Sequence, residues 1–226
     1  MKFKYLLKLV CLGIGLMAFV PSVNASVING GFESGLNGWR LFTTANGTLG
    51  DQPLPQVGTY DVVGNSAGSN SLKLSVGYAV APCSFPGIFC PKPTEGGGIQ
   101  QSIYLSSGLY SFHVDVAVEN TPLYGGSNMD GGTFSMILDG LVLDTVSFGQ
   151  IISNSVERDQ LNFETSIGEG VHDLQILVTR NYAQSDSLFQ FVDNITITPV
   201  PEPTTLGLLA IGCLTMLLVR PKKKAF

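Results

Sequence analysis

The chain is 226 residues long, and its formal net charge of −5 hides an uneven distribution. Between residues 26 and 199 only five basic side chains, Arg40, Lys73, Lys92, Arg158 and Arg180, face sixteen acids, a balance of −11. Such a surface repels phosphate backbones, which excludes nucleic acid as a partner, and it disfavours direct contact with an acidic polysaccharide unless a divalent cation bridges the two.

Residues 1–25 have the layout of a secretory signal peptide. Lys2, Lys4 and Lys8 make a basic start, residues 6–20 are apolar, and Val23-Asn24-Ala25 offers small residues for cleavage. Cys11 follows Val10, the wrong residue for lipoprotein processing. Residues 26–198, about 175 in all, suffice for one domain with its own core. Residues 45–60 and 81–98 are broken by Gly and Pro and read as long loops, places where function often sits. The second contains Cys83 and Cys90. An oxidising exterior permits a disulfide between them that pins a local excursion, whereas two cysteines without a nearby histidine make a poor zinc site.

The remaining pattern is β throughout. Strands are expected over 71–78 and 98–105. Tyr110, Phe112, Val114, Val116 and Val118 alternate with polar residues, the period-two signature of a half-buried strand. Segments 133–138 and 141–148 flank Asp139-Gly140, a favoured two-residue hairpin turn. A second pair, 161–167 and 171–180, surrounds Gly168-Glu169-Gly170, and a closing strand runs over 188–198. No stretch carries a helical stripe. Many short strands with Gly, Asn and Ser turns predict an all-β sandwich or barrel.

Catalytic chemistry finds little support. His113 falls at an outward strand position, His172 begins a strand, and neither belongs to a metal or nucleophile motif. Asp139 and Asp144 have the chemistry of a hydrolytic carboxylate pair, but turn formation and solvent contact account for them more simply. The expectation is a protein that is not an enzyme. Sugar-binding surfaces instead stack aromatic rings on the apolar faces of pyranoses. Tyr60, Tyr78, Tyr124 and Tyr182, with Phe85 and Phe89, lie in or beside loops and suit that role. Trp39, Phe112, Phe134, Phe163 and Phe191 are expected in the core.

The tail, residues 199–226, changes character. Pro-Val-Pro-Glu-Pro cannot continue a strand or helix, residues 206–219 are apolar, and Arg220, Lys222, Lys223 and Lys224 follow. The run is short for a full crossing, and its basic end fits a cytoplasmic side. Val200-Pro201-Glu202-Pro203, the apolar helix and the basic tail resemble the PEP-CTERM sorting signal of exopolysaccharide-producing Gram-negative bacteria. That resemblance implies processing by an exosortase near Pro-Glu-Pro, a precursor held in the inner membrane, and a mature form at the cell surface or outside.

A second resemblance spans the exported domain. Ile28-Asn29-Gly30-Gly31-Phe32-Glu33 with Gly38-Trp39 is similar to the start of carbohydrate-binding-module and galactose-binding-like jelly rolls. Gly98-Ile99-Gln100-Gln101-Ser102-Ile103 with Gly108-Leu109-Tyr110-Ser111-Phe112 resembles their central strand pair, and Phe191-Val192-Asp193-Asn194-Ile195 their closing strand. It implies a single jelly-roll β-sandwich with its first and last strands adjacent. It also implies a structural calcium held by Glu33 and Asp193 with backbone carbonyls, although Asn194 stands where these families usually carry a second acid. The functional expectation is a non-catalytic module that binds extracellular polysaccharide, the alternative a structural biofilm or surface protein with no dedicated glycan.

Overall fold

The computed structural model describes residues 27–201 apart from 52, 66, 81–93 and 122–129. The signal peptide, Cys83, Cys90, Tyr124, Glu202, Pro203 and the apolar segment 206–219 lie outside the described residues. Within them there are twelve strands and no helix, arranged as a β-sandwich.

One sheet has the spatial order β1 (Arg40–Thr43), β6 (Glu95–Leu105), β11 (Gly170–Arg180), β8 (Gly132–Leu138) and β9 (Leu141–Phe148). The facing sheet has the order β10 (Ser155–Ile167), β7 (Gly108–Asn120), β12 (Leu188–Pro199), β4 (Ser69–Leu74) and β3 (Gln56–Tyr60). A ribbon of β2 (Gly47–Thr48) and β5 (Gly77–Tyr78) closes one end. Every named pair is antiparallel. From β6 onward the chain changes sheet at each step except the tight β8–β9 hairpin, the winding of a jelly roll.

Alternation decides what fills the sandwich. Phe112, Val114, Val116 and Val118 of β7 meet Ile99 and Ile103 of β6 and Leu174, Ile176 and Val178 of β11 in one continuous core. Phe134 packs edge-on against Phe148 with ring centres 5.5 Å apart. Asp139 (φ 51°) and Gly140 (φ 80°) form the tight hairpin turn that their dipeptide predicts. Trp39 is buried beside Phe32, ring centres 6.1 Å apart, as expected of a core residue.

Several expectations need correction. The 28–33 motif is a run of turns rather than a strand, with Asn29 and Phe32 at positive φ. The first true strand, β1, lies in the opposite sheet from β12. The turn segment itself does meet the last strand: Ile195 donates its backbone N–H to Gly30 O at 3.0 Å. A Cβ on Gly30 would sit 2.0 Å from Ile195 O, so only glycine permits that approach. The stretch 45–60 is not a plain loop, since it contains β2 and β3. Phe163 lies on edge strand β10 and is 37% exposed, and Phe191, although buried, lies outside the sandwich core.

Candidate functional site

The outer face of the β10-β7-β12-β4-β3 sheet carries the most distinctive side chains. Because Val116, Val118 and Val192 point into the core, Asp115, Ala117, Glu119, Phe189, Phe191 and Asp193 point outward. The register then fixes one row across the sheet: Arg158, Ala117, Phe191, Lys73 and Gln56. Tyr60 lies flat on Phe191, with ring centres 3.7 Å apart and planes within 5°. Lys73 Nζ sits 3.6 Å above the Phe189 ring, a cation–π contact. The result is an outward-facing aromatic step, with Val62 and Ala117 packed behind it.

Three clefts adjoin this step. One of about 230 Å³ includes Gln56, Lys73 and Phe189. A second, of about 180 Å³, includes Gln56, Lys73, Tyr60 and Glu119. The third, of about 300 Å³, is lined by Val62, Val63, Asp115, Arg158, Gln160 and Asn162 along with Asp159. Rings, amides and charged groups thus share one face. The Tyr60 hydroxyl is buried without a hydrogen bond. Burial first, and then the nearby Glu119 carboxylate, hold this phenol well above its ordinary range.

At one end of this face the acids gather. Asp115 and Asp193 are cross-strand partners, and both are buried, at 4% and 0% exposure. The turn after β3 has its own scaffold: Asp61 accepts from the Gly64 and Asn65 N–H groups, and Asp61 O accepts from Arg158 Nε at 3.1 Å. Asp193 accepts from Ser69 Oγ at 2.5 Å and from its neighbour's backbone N–H at 2.7 Å. Glu33, exposed, accepts from Asn70 Nδ2 at 2.8 Å. Adjacent residues of β4 therefore hold the two acids expected to bind calcium. Burial pushes the Asp193 carboxyl above its ordinary range against the pull of these hydrogen bonds, and Asp115 and Glu33 add repulsion in the same direction.

Carboxylate and amide oxygens suit a hard cation, but calcium takes six to eight oxygens, more than these two acids supply. Among the described residues no three His, Cys, Asp or Glu side chains converge as a metal-holding group.

No family model matches the chain, and no curated protein matches it. Solved structures do show likeness to the sandwich. A module named CBM61, solved with β-1,4-galactotriose, is 12% identical over 77% of this chain and 99% of its own, with a TM-score of 0.42. The K3 adhesin domain of Lys-gingipain from Porphyromonas gingivalis is 14% identical over 77% and 99%, with a TM-score of 0.43. The CBM22-1 xylan-binding domain of Paenibacillus barcinonensis Xyn10C is 13% identical over 81% and 100%, with a TM-score of 0.38.

Of the three described tyrosines singled out from sequence, Tyr60 reaches the aromatic step. Tyr78 and Tyr182 meet elsewhere, where Tyr78 N donates to Tyr182 O at 3.1 Å beside the β2–β5 ribbon. Asp139 and Asp144 do not form a facing pair: Asp139 binds His172 and Asp144 accepts from the Asn162 N–H. Sequence reasoning missed Phe189, Lys73, Glu119 and Asp115. The signal for them was present in the outward phase of β7 and β12, which fixes a shared face once the strands are paired.

Proposed function

We propose that this domain is a non-catalytic glycan-binding module whose ligand lies along the outer face of the β10-β7-β12-β4-β3 sheet. The Tyr60–Phe191 stack carries the reading. It sets a flat ring in a cleft that Gln56, Lys73 and Glu119 also line. A pyranose can lay its apolar face on Tyr60 while these groups take its hydroxyls. The test is affinity electrophoresis and co-sedimentation against a glycan panel. Tyr60→Ala should weaken binding about tenfold, which is about 1.4 kcal/mol, whereas Tyr104→Ala on the opposite sheet leaves it unchanged. Equal binding by the wild type and Tyr60→Ala refutes the site. Binding to no glycan favours a structural surface protein.

The terminal segments support a matching life cycle. Strand β12 ends at Pro199, and Val200 N donates to Leu109 O at 2.9 Å, so the last strand of the sandwich ends two residues before Pro201. We propose export, retention by the apolar tail and exosortase-type processing there. Mass spectrometry of the mature protein checks this, since a chain still ending at Phe226 contradicts it. Calcium bound at Glu33 and Asp193 belongs to the same proposal. It requires a melting temperature that rises with calcium, falls with chelator and loses that response in Asp193→Ala but not in Asp144→Ala.

A further inference from the structure

The two ends of the sandwich differ. The difference bears on how the precursor sits at the membrane, given the reading above that the apolar tail 206–219 holds it there. At one end the strands turn back through three two-residue connections: Ser106-Ser107 between β6 and β7, Asp139-Gly140 between β8 and β9, and Gly168-Glu169 between β10 and β11. The chain leaves the fold at this same end, where Val200 N meets Leu109 O. The connections 149–154 and 181–187 lie at the opposite end.

Exposed apolar side chains gather at the end with the short turns. Of eleven large exposed hydrophobic residues among those described, Tyr104, Leu109, Leu141, Val142 and Val171 stand there, against Val80 and Ile152 at the other end. Tyr104 and Val171 are cross-strand partners, and Leu141 and Val142 open β9 in the same sheet. Leu109 belongs to the facing sheet. A peptide laid on one sheet meets only part of this rim, whereas a flat surface set against the end meets both sides of it.

Reach decides which surface that is. From Val200 to Leu206 is six residues, about 20 Å when fully extended. Strand β7 alone has 13 residues, about 44 Å. An anchor that starts at Leu206 therefore keeps this end near the bilayer, and the domain cannot invert to bring its other end down. The acids here are already engaged: Glu169 accepts from the Tyr104 hydroxyl at 2.6 Å, Asp173 from Ser102 Oγ at 2.6 Å, and Asp139 meets His172. The three turns hold Asp139 and Glu169 but no lysine or arginine, which suits zwitterionic headgroups and not anionic ones.

We propose that this end rests on a zwitterionic lipid surface while the tail is in the membrane, with Leu109, Tyr104, Val171 and Leu141 set into the headgroup layer. Phe191 lies eight residues up β12 from Pro199, so the aromatic step stays about 25 Å clear of the lipid. The full chain reconstituted in phosphatidylcholine vesicles, with and without bromine on the acyl chains, tests this by fluorescence. Val171→Trp and Leu141→Trp report on this end and Ile152→Trp on the other, at positions 70%, 68% and 64% exposed. Native Trp39 is buried and supplies the background. The first two variants should lose emission in brominated vesicles relative to wild type, and Ile152→Trp should not. Either of the two suffices if the other fails to fold. Chain that floats with the vesicles but shows no loss at Val171→Trp and Leu141→Trp overturns the inference and leaves membrane retention standing. Equal loss at Ile152→Trp also overturns it, since no one end then faces the lipid. A blue shift without bromine-dependent loss marks a protein neighbour, such as a second copy, and overturns it too. If the chain does not float with the vesicles, the retention reading falls and the inference falls with it.

Discussion

Arg180 offers the sharpest test of what holds the loop-bearing end together. It is 2% exposed, the largest side chain so fully buried, and burial lowers its pKa from the ordinary arginine value. Its Nε donates to Asp130 O at 2.7 Å, and one terminal nitrogen donates to Val76 O at 3.2 Å and to Ala183 O at 3.1 Å. Three chain segments are thus tied to one guanidinium, and Asp130 also receives the Asn181 N–H at 2.8 Å. Replacing Arg180 by Met keeps much of the volume but removes every donor. Val76 lies between β4 and β5, Ala183 bridges to Tyr78 and Asp130 comes two residues before β8, so the carbonyls that lose their partners cannot all turn to water. Breaking a buried charged contact of this kind costs about 3–5 kcal/mol. For a domain of this size each kcal/mol moves the melting temperature by roughly 2–4 °C, so the drop should be about 10 °C. Trp39, the only tryptophan in the chain and buried in the core, reports unfolding by fluorescence. Denaturant titration of wild type, Arg180→Met and Arg180→Lys measures the loss directly. Lysine keeps the charge but not the fork, and should fall between the other two. A methionine variant within about 0.5 kcal/mol of wild type would show that the carbonyls find other donors and that the guanidinium ties nothing.

Two further outcomes follow from particular contacts. His172 Nδ1 lies 2.6 Å from Asp139 Oδ2, a bond that raises the histidine pKa against the effect of burial. Burial alone would raise the Asp139 carboxyl, but hydrogen bonds from His172 and the Asp173 N–H hold it below its ordinary range. The histidine's contribution is complete below its unfolded value, about 6.5, and is lost as pH rises through the higher folded value. The aspartate's is complete above about 3.9 and is lost as pH falls through the lower folded value. The stability advantage of wild type over His172→Gln should therefore be greatest between those limits and shrink by pH 9; a difference that stays flat from pH 5 to 9 contradicts the pairing. In the core, Phe134→Ala should cost about 3–5 kcal/mol, whereas Phe163→Ala on its exposed edge strand should cost no more than about 1 kcal/mol by chemical denaturation.

Much of the sandwich was legible because alternation is a local property. β7 announces itself through five apolar residues in strict period two, and Asp139-Gly140 names its own turn. Edge strands lack that signal. Ser155 to Gln160 opens β10 with Val-Glu-Arg-Asp, mostly exposed, so no apolar face marks it. β3 is hidden in a Pro- and Gly-rich stretch and makes its only named sheet pairing with β4. The 28–33 motif looks extended in sequence, yet positive φ at Asn29 and Phe32 turns it back on itself. The candidate site was less legible still. Period two says which residues leave the core, but not what meets them outside. Hence Phe191 was assigned to the core, and Asp115 was passed over as an ordinary polar strand position.

The double burial of β7 and β12 is what gives those acids meaning. Their inner residues fill the sandwich, while Ala117 and Phe191 are also buried on the outer side, packed with Val62. Along both strands the next outward pair is Asp115 and Asp193. Stability alone favours apolar residues there too, since withdrawing a carboxylate from water costs several kcal/mol unless a partner compensates. Ser69, Asn194 and Asn70 supply hydrogen bonds to this group of acids and His113 Nε2 lies 3.2 Å from Asp115 Oδ1, while among the described residues no lysine or arginine pairs with them. The deficit falls beside a cleft and within one sheet face of an aromatic step. The calcium proposed at Glu33 and Asp193 would supply positive charge there from solution, and melting in calcium and in chelator decides whether it does.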